Sequence, residues 1–300
     1  MSGRDISLRR RLRYGVEFVV VFLLAAVFRA LPFESASALG SVIARTLGPR
    51  LGVSRRAAHN IRRAMADKSE AEIKSIVRGM WDNLGRTAAE ALHLGRRAVI
   101  EDQKRFEIVG VEHLDAMRDN GLGGILVTAH IGNWEAIGPL TFQRGIPLTT
   151  VYREANNPYV GWLLKNLRRA TNGAHLVPKG AAGARGLIAA LKNKDHLGLL
   201  VDQKLNDGIA VPFFGIDAMT APALAQLAQR FAVPMIPIHC ERLGGARLRI
   251  VVEPPLELSS GGSKEQNTFE TMRRVNAHME GWIRQHPEQW LWLHNRWPAE

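Results

Sequence analysis

From residue 98 onward, short apolar runs alternate with segments that have the periodicity of helices. The runs lie at 106–109, 125–127, 148–151, 175–177, 197–201, 235–239 and 248–252, and the helical segments lie at 111–119, from 134, and at 157–170, 184–191, 221–231 and 265–284. Short apolar runs between turn residues are typical of buried strands. Strands that alternate with helices predict an α/β domain over residues 98–300, in which helices cover a sheet.

Residues 1–31 join a basic flank to an apolar run. Residues 18–28 are eleven uninterrupted apolar residues, and residues 14–30 give seventeen if Glu17 is tolerated, which is the short limit for a bilayer span. The basic flank consists of Arg4, Arg9, Arg10, Arg11 and Arg13. Such a flank holds an N-terminus in the cytoplasm. We therefore expect a hydrophobic membrane-anchoring helix, as a single span in preference to a helix lying in the interface. A cleaved signal peptide is disfavoured because residues 31–34 lack the small residues of a cleavage site.

Residues 32–97 have helical patterns throughout. Gly48 and Pro49 end the first helical segment, and a strongly basic segment follows at 54–66. Ser69 and Glu72 have the spacing of a capping box, which marks the start of another helix. We predict a helical N-terminal region that packs on the α/β core.

The chain is strongly basic, with a net charge of +12 and a sequence pI near 10.5. This charge indicates an acidic counterpart, which could be anionic lipid, nucleic acid or an acidic carrier protein.

Cys240 is the only cysteine, which excludes an intramolecular disulfide and a cysteine-based zinc cluster. Because Cys240 lies in an apolar run, we expect a buried structural thiol.

The stretch from Gly123 to Glu135 carries the first candidate chemistry. It predicts a buried strand, a loop that contains His130, and a helix capped by Asn133. The carboxyl end of a strand in an α/β sheet delivers such a side chain to the crevice where ligands bind. A loop lets His130 and Glu135 converge, and a carboxylate on one imidazole nitrogen leaves the other nitrogen able to take a proton from a hydroxyl. An isolated pair with this spacing often arises by chance. Whether this pair is catalytic must therefore be judged from the other motifs of the chain.

Further polar residues follow other predicted strands. Asp202 and Gln203 come directly after one apolar run, at the same level of the sheet as His130. Arg153 follows another run, and the helix after it is basic towards its end, where Arg168 lies. The acidic and amide groups at 202 and 203 are therefore expected near the same crevice as His130.

The last nineteen residues contain four of the seven tryptophans of the chain. They are Trp282, Trp290, Trp292 and Trp297. Their clustering with basic residues suits a membrane interface or a lipid-binding rim. Ordinary packing of a C-terminal helix explains it equally well, so both interpretations stay open on the sequence alone.

In this order and spacing, the blocks resemble the lysophospholipid acyltransferase superfamily, specifically its lipid A late-acyltransferase branch. The resemblance covers nearly the whole chain. The His-x4-acid block of the superfamily falls on His130 and Glu135, and the acidic residue after a strand falls on Asp202. The functional arginine of the branch falls on Arg168, with neighbouring Arg169 leaving the register open by one. Further blocks of the branch fall on Tyr152, Arg153, Asn157 and Pro158, and on residues 211–215 and 233–237.

The resemblance implies an α/β fold with a mixed sheet covered by helices, as in glycerolipid acyltransferases. It also implies direct transfer of a fatty acyl chain from a thioester to a hydroxyl of a lipid A precursor, without a cofactor or a metal. His130 would deprotonate the hydroxyl, and Glu135 would orient the ring. Arg168 and Arg153 would hold phosphate or the developing oxyanion, while Asp202 would hold Arg168 or position the acceptor. The other substrate-binding candidates are Asn133 and Gln203.

The same resemblance suggests the partners and the location. The donor would be acyl carrier protein or acyl-CoA, because a basic rim attracts either of them. The acceptor would be a glycolipid, and the catalytic domain would lie on the cytoplasmic face of the bacterial inner membrane, against its anionic surface. No nucleic-acid partner is expected, since no recognition motif is present.

Three alternatives remain open at this stage. The acceptor could be another glycolipid or a lysophospholipid, since mycobacterial mannoside acyltransferases look similar across the central blocks. The chain could instead be a basic protein that binds membranes or nucleic acid without catalysis. It could also be a metallohydrolase that uses His130, Glu135, His175 and Asp202, although its histidines lack the spacing of metal ligands.

Overall fold

A computed structural model describes residues 8–152 and 154–297 of the chain. Within these residues, nine strands form a seven-stranded sheet and a two-stranded hairpin. The strands are β1 (Phe106–Val109), β2 (Gly124–Thr128), β3 (Leu148–Tyr152), β4 (His175–Pro178), β5 (His196–Leu200), β6 (Ile209–Phe213), β7 (Ile216–Thr220), β8 (Met235–Gly244) and β9 (Arg247–Val252). Each apolar run noted in the sequence forms one of these strands, so the prediction of an α/β sheet is confirmed.

The large sheet is mixed, as expected. Its strand order is β1-β9-β8-β2-β5-β3-β4, and all pairings are parallel except the antiparallel pair β8 and β9. The central strand β2 is buried along its whole length. Successive side chains of a strand point to opposite faces, so Ile125 and Val127 pack into one hydrophobic core while Leu126 packs into the other.

Helices cover both faces of this sheet. They are α1 (Leu8–Ala30), α2 (Phe33–Leu47), α3 (Val53–Ala64), α4 (Glu70–Glu90), α5 (Arg97–Ile100), α6 (Val111–Asp119), α7 (Ile137–Gln143), α8 (Pro158–Asn172), α9 (Ala181–Lys192), α10 (Ala223–Phe231) and α11 (Lys264–Gln285). Buried residues of α3, α4, α9, α10 and α11 belong to the core on one face, and those of α5, α6 and α7 belong to the core on the other.

The N-terminal helices pack tightly on each other and on the core. The capping box of α4 is present as predicted, with the Ser69 side chain accepting from the backbone N–H of Glu72. Helices α2 and α4 approach at two glycines, since a side chain on Gly40 would meet the carbonyl oxygen of Gly85 at 2.3 Å. Ile61 of α3 and Ile73 of α4 are fully buried in the core beneath the sheet.

The first helix departs from the predicted transmembrane anchor at residues 1–31. In residues 8–152 and 154–297, no helix combines the length and the apolar content needed to cross a membrane. The reason is the charge within α1, because arginines fill its first turns and the uninterrupted apolar run is only eleven residues. Such a run is about 16 Å long in a helix, against a hydrocarbon thickness of about 30 Å.

Helix α1 packs along α8 and the end of α4. The Asn157 side chain donates to the carbonyl oxygen of Tyr14 and to the Glu17 carboxylate, at 3.0 Å in each case. The distance from Nε2 of His93 to the carbonyl oxygen of Phe28 is 2.9 Å. The opposite side of α1 leaves a row of apolar side chains exposed, namely Val16, Val19, Val20, Phe22, Leu23, Leu24 and Val27.

The hairpin of β6 and β7 was not predicted from the sequence. Both turn residues, Phe214 and Gly215, have positive φ values of 54° and 71°. Two-residue hairpin turns of this kind normally carry Asn-Gly or Asp-Gly, and Phe-Gly gives no such signal. Phe214 adopts the unfavourable conformation while its ring packs against Trp292 and Trp297.

Candidate active site

The carboxyl ends of β2 and β5 bring two predicted residues together. These strands are parallel neighbours in which Thr128 pairs with Leu200. His130 and Asp202 each lie two residues beyond these paired positions. The register of the sheet therefore delivers both side chains to one crevice, where ligands bind in open α/β sheets.

Asp202 holds the His130 ring through two hydrogen bonds. Nδ1 of His130 lies 2.8 Å from Oδ1 of Asp202, and the backbone N–H of His130 donates to Oδ2 at 3.0 Å. The Asp202 side chain is 1% exposed, whereas the His130 side chain is 18% exposed. The carboxylate that orients the ring is therefore Asp202, whereas the sequence interpretation gave this role to Glu135 and gave Asp202 a role towards Arg168 or the acceptor.

The pair is electrostatically coupled. Burial lowers the pKa of His130, but the charge and hydrogen bond of Asp202 and the charge of Glu135 outweigh it, so the pKa is raised above 6.5. Burial raises the pKa of Asp202, yet the His130 ring, the His130 backbone and Trp290 together hold it well below its ordinary value. Asp202 is thus ionised and accepts from Nδ1–H of the neutral ring, which leaves the lone pair on Nε2.

The open nitrogen of His130 faces Gln203 and His294. The Nε2 of Gln203 lies 3.4 Å from the Nε2 of His130 and 2.9 Å from the Nε2 of His294. The two histidine rings are 5.7 Å apart between centroids. Gln203 was predicted as a substrate-binding residue and lies at this opening. His294 was not predicted, because no strand or helix signal marks its segment.

Glu135 instead pairs with Arg168 of α8. An Nη2 atom of Arg168 lies 2.6 Å from Oε1 of Glu135, and its Nε lies 3.4 Å from Oε2. The charge of Glu135 raises the pKa of Arg168 further. Leu164, Leu167 and further apolar side chains line a small cleft beside this pair. Arg168 reaches Glu135, whereas the neighbouring Arg169 is exposed.

Asn133 does not have the position that was predicted for it. Its side chain is fully buried, and its Nδ2 donates to Oε2 of Glu90 at 2.6 Å. A 3-10 turn at 134–136 precedes α7, so Asn133 caps no helix with its side chain. In this position the buried amide is bonded to a buried carboxylate and helps to hold the loop.

A buried ion pair lies beneath the same loop. Glu90 of α4 accepts from both terminal nitrogens of Arg242 in β8, at 2.7 and 3.0 Å. Asn83 joins this network to the loop, since it accepts from Nε of Arg242 and donates to the carbonyl oxygen of Gly132 at 2.9 Å. Gly132 has a φ of +55°, and a side chain there would collide with the carbonyl oxygen of Cys240. No sequence pattern predicts this network, because it joins helices and strands that are far apart in the chain.

The remaining candidates lie elsewhere. Arg153 is outside the described residues. His175 is exposed in β4 at the edge of the sheet. In the described part of the chain, no group of three or more His, Cys, Asp or Glu side chains is arranged to hold a metal ion. Cys240 is fully buried, and burial raises the pKa of its thiol to about 12, which confirms the expected structural role.

The C-terminal tryptophans are part of the protein interior. Trp282, Trp290, Trp292 and Trp297 are all at most 4% exposed. Their clustering therefore reflects packing, and the interpretation as a membrane-interface rim is wrong for these four residues. Trp290 also reaches the site, where its indole N–H donates to Oδ2 of Asp202 at 2.8 Å.

Comparison with known proteins gives an independent view of the chain. Residues 2–299 match the sequence model of a family described as bacterial lipid A biosynthesis acyltransferase. A lipid A biosynthesis acyltransferase of Haemophilus influenzae is 25% identical over 289 residues, which cover 93% of this chain and 86% of that protein. The lipid A biosynthesis myristoyltransferase of Escherichia coli is 26% identical over 251 residues, or 81% and 75% of the two chains. A phosphatidylinositol mannoside acyltransferase of Mycobacterium tuberculosis is 27% identical over 198 residues, or 64% and 60%. Since the family match spans nearly the whole chain, this protein belongs to the bacterial lipid A biosynthesis acyltransferases and is an O-acyltransferase.

Proposed function

We propose that the enzyme transfers a fatty acyl chain from an acyl thioester to a hydroxyl of a lipid A precursor, with His130 as the general base. The observation that carries this proposal is the pairing of His130 with buried Asp202. Ionised Asp202 keeps the proton of the neutral ring on Nδ1, and the basic Nε2 faces the opening of the site.

The proton transfers of the chemical step use these two side chains and the substrates. Nε2 of His130 takes the proton of the acceptor hydroxyl as its oxygen attacks the thioester carbonyl. Collapse of the tetrahedral intermediate breaks the carbon–sulfur bond, and the imidazolium returns the proton to the departing thiolate. Asp202 stabilises the imidazolium between these two transfers, as the buried carboxylate of a catalytic triad does.

The Glu135–Arg168 pair supplies a fixed positive group beside the base. Arginine binds phosphate and oxyanions through several aligned N–H groups. With Glu135 on one side of the guanidinium, the remaining N–H groups of Arg168 are available to a phosphate of the acceptor or to the developing oxyanion. Glu135 thus acts on Arg168, and its charge supports the imidazolium form of His130.

The surface around the site suggests where the enzyme works. Helix α1 begins with Arg9, Arg10, Arg11 and Arg13, all exposed, and continues into the exposed apolar row already described. Basic residues beside an apolar face suit a helix that lies on an anionic membrane. Trp162 is exposed on α8, the helix that packs against α1. We therefore propose that the enzyme works at the cytoplasmic face of the bacterial inner membrane, with acyl carrier protein or acyl-CoA as donor.

Arg168→Lys tests the role of the arginine. Lysine keeps the charge but loses the fork of N–H groups, so we expect kcat/KM to fall roughly ten- to a hundredfold, the size of a lost hydrogen bond to a charged group. Arg169→Lys is the matched control, because Arg169 is the next residue of the same helix and is exposed. Equal losses in the two variants, measured by steady-state kinetics, would contradict a specific role of Arg168.

The proposed reaction is tested with purified enzyme and defined substrates. Labelled acyl carrier protein and acyl-CoA are each offered with a lipid A precursor, a phosphatidylinositol mannoside and a lysophospholipid. We expect transfer to the lipid A precursor, and mass spectrometry of lipid A from cells with and without the protein should show the added chain. The mannoside is the second candidate acceptor because of the mycobacterial relative. Transfer only to the mannoside, or only to the lysophospholipid, would show that the proposed acceptor is wrong. Absence of any transfer, together with salt-dependent binding to nucleic acid, would refute the proposal.

A further inference from the structure

The C-terminal segment after α11 passes directly over the His130–Asp202 pair. The backbone N–H of Leu291 donates to the carbonyl oxygen of His130 at 3.0 Å, and Ile131 forms an antiparallel bridge with Trp290. From this bridge the indole of Trp290 reaches Asp202. Trp290, 88 residues beyond Asp202 in the sequence, thus contributes a direct contact to the pair.

The Asp202 carboxylate receives three donors, which together fix its orientation. Oδ1 faces Nδ1 of His130, while Oδ2 accepts from the His130 backbone and from the Trp290 indole. Charge-assisted hydrogen bonds of this kind are about twice as strong as neutral ones. Of the three, only the Trp290 bond comes from outside the His130 residue itself.

Packing prevents the Trp290 ring from turning away. The residue is 1% exposed, and its ring lies 4.5 Å from that of Trp292 and 5.8 Å from that of Phe213, between centroids. A buried indole N–H needs an acceptor, and Asp202 supplies it. The N–H is therefore presented to the carboxylate in one fixed direction.

We propose that Trp290 is a positioning residue for catalysis, whose indole N–H holds the Asp202 carboxylate so that Nε2 of His130 points at the acceptor hydroxyl. This inference rests on the proposed function of His130 as the general base. Trp290 is 1% exposed and its indole N–H contacts Asp202, so it acts through the pair and not on the substrate.

Loss of this N–H has a defined electrostatic consequence. The indole bond helps to hold the pKa of Asp202 low, and without it the carboxylate charge acts more strongly on the imidazolium of His130. The pKa of His130 therefore rises further above its usual value. As the pH falls, the ring is then protonated, and so inactivated as a base, at a higher pH than in the wild type. The other charged and titratable groups around the pair, Glu135, Arg168, His294 and Arg296, are unchanged.

Trp290→Phe is the first variant, because it keeps an aromatic ring and removes the N–H. We expect kcat to fall about tenfold with KM unchanged, and the acid limb of the pH–rate profile to move up by roughly half a pH unit. Trp292→Phe is the matched control, since its buried indole donates to the carbonyl oxygen of Pro287 at 2.7 Å. That control should leave the acid limb in place even if it lowers stability.

Trp290→Gln separates the N–H from the packing. The amide of glutamine can place an N–H near the position of the indole N–H and does not titrate, but it fills less space, so it should restore the acid limb towards that of the wild type. If packing alone matters, Trp290→Phe will be the better variant of the two and its acid limb will not move. That result would overturn the inference while leaving the proposed function intact.

A measurement on the unmodified enzyme completes the test without relying on the folding of a variant. The NMR signal of the Trp290 indole N–H should move with pH, and its midpoint should equal that of the His130 ring. An indole signal that ignores the titration of His130 would overturn the inference. This readout requires no acyl transfer, so it also distinguishes failure of the inference from failure of the proposed function.

Discussion

Replacing His130 with alanine is expected to lower acyl transfer by about 10²–10⁴-fold, the range for loss of a general base. The ring is part of the opening of the site and packs with a T-shaped contact on Trp134, so its removal leaves the two hydrophobic cores untouched. The acid limb of the pH–rate profile should also disappear, because that limb reports protonation of the same ring. Steady-state rates with labelled donor across a range of pH provide both readouts.

His175→Ala is the control for this experiment. His175 is exposed in edge strand β4, so its loss should leave the rate unchanged. Circular dichroism and thermal unfolding of both variants check that each is folded. A folded His130→Ala enzyme with near-normal turnover would show that another group removes the proton.

The parts of the site that follow strands could be predicted from the sequence. Asp202 comes directly after an apolar run and His130 follows another by three residues, and the carboxyl ends of parallel strands share one edge of a sheet. What the sequence did not specify is the strand order. Because β2 and β5 are neighbours in register, Asp202 reaches the His130 ring. Glu135 is closer to His130 in sequence, but it forms an ion pair with Arg168 instead.

The contributions of the C-terminal segment could not be predicted for a physical reason. Trp290 and His294 lie after α11, in a segment whose position is fixed by contacts with distant parts of the chain. Asn60 of α3 donates to the carbonyl oxygens of Trp292 and His294, at 2.8 and 2.7 Å. Such bonds between backbone carbonyls and a side chain more than 230 residues away follow no local periodicity. The tryptophans were visible as a cluster, but only tertiary structure distinguishes an interior cluster from a membrane-facing one.

Asp202→Asn is expected to be nearly as damaging as loss of the base, because it reverses the tautomer of the ring. The His130 backbone N–H and the Trp290 indole both donate to Oδ2, and neither donor can accept from an amide NH₂. The asparagine must therefore turn its oxygen towards these two donors and its NH₂ towards Nδ1 of His130. The neutral ring then accepts at Nδ1 and carries its proton on Nε2, where it cannot take a proton from the acceptor.

We expect kcat of Asp202→Asn to fall roughly 10³- to 10⁴-fold, the size of the same tautomer defect in a catalytic triad. The carboxylate is also what raises the pKa of His130 against burial, so the acid limb of the residual activity should move to lower pH. This direction is opposite to that expected for Trp290→Phe, where the carboxylate remains and acts more strongly. Asp195→Asn is the control, because Asp195 is exposed and immediately precedes the first residue of β5. This variant should preserve both the rate and the pH–rate profile. A residual activity whose acid limb stays in place would show that Asp202 supports the fold of the loop and does not govern the protonation of His130.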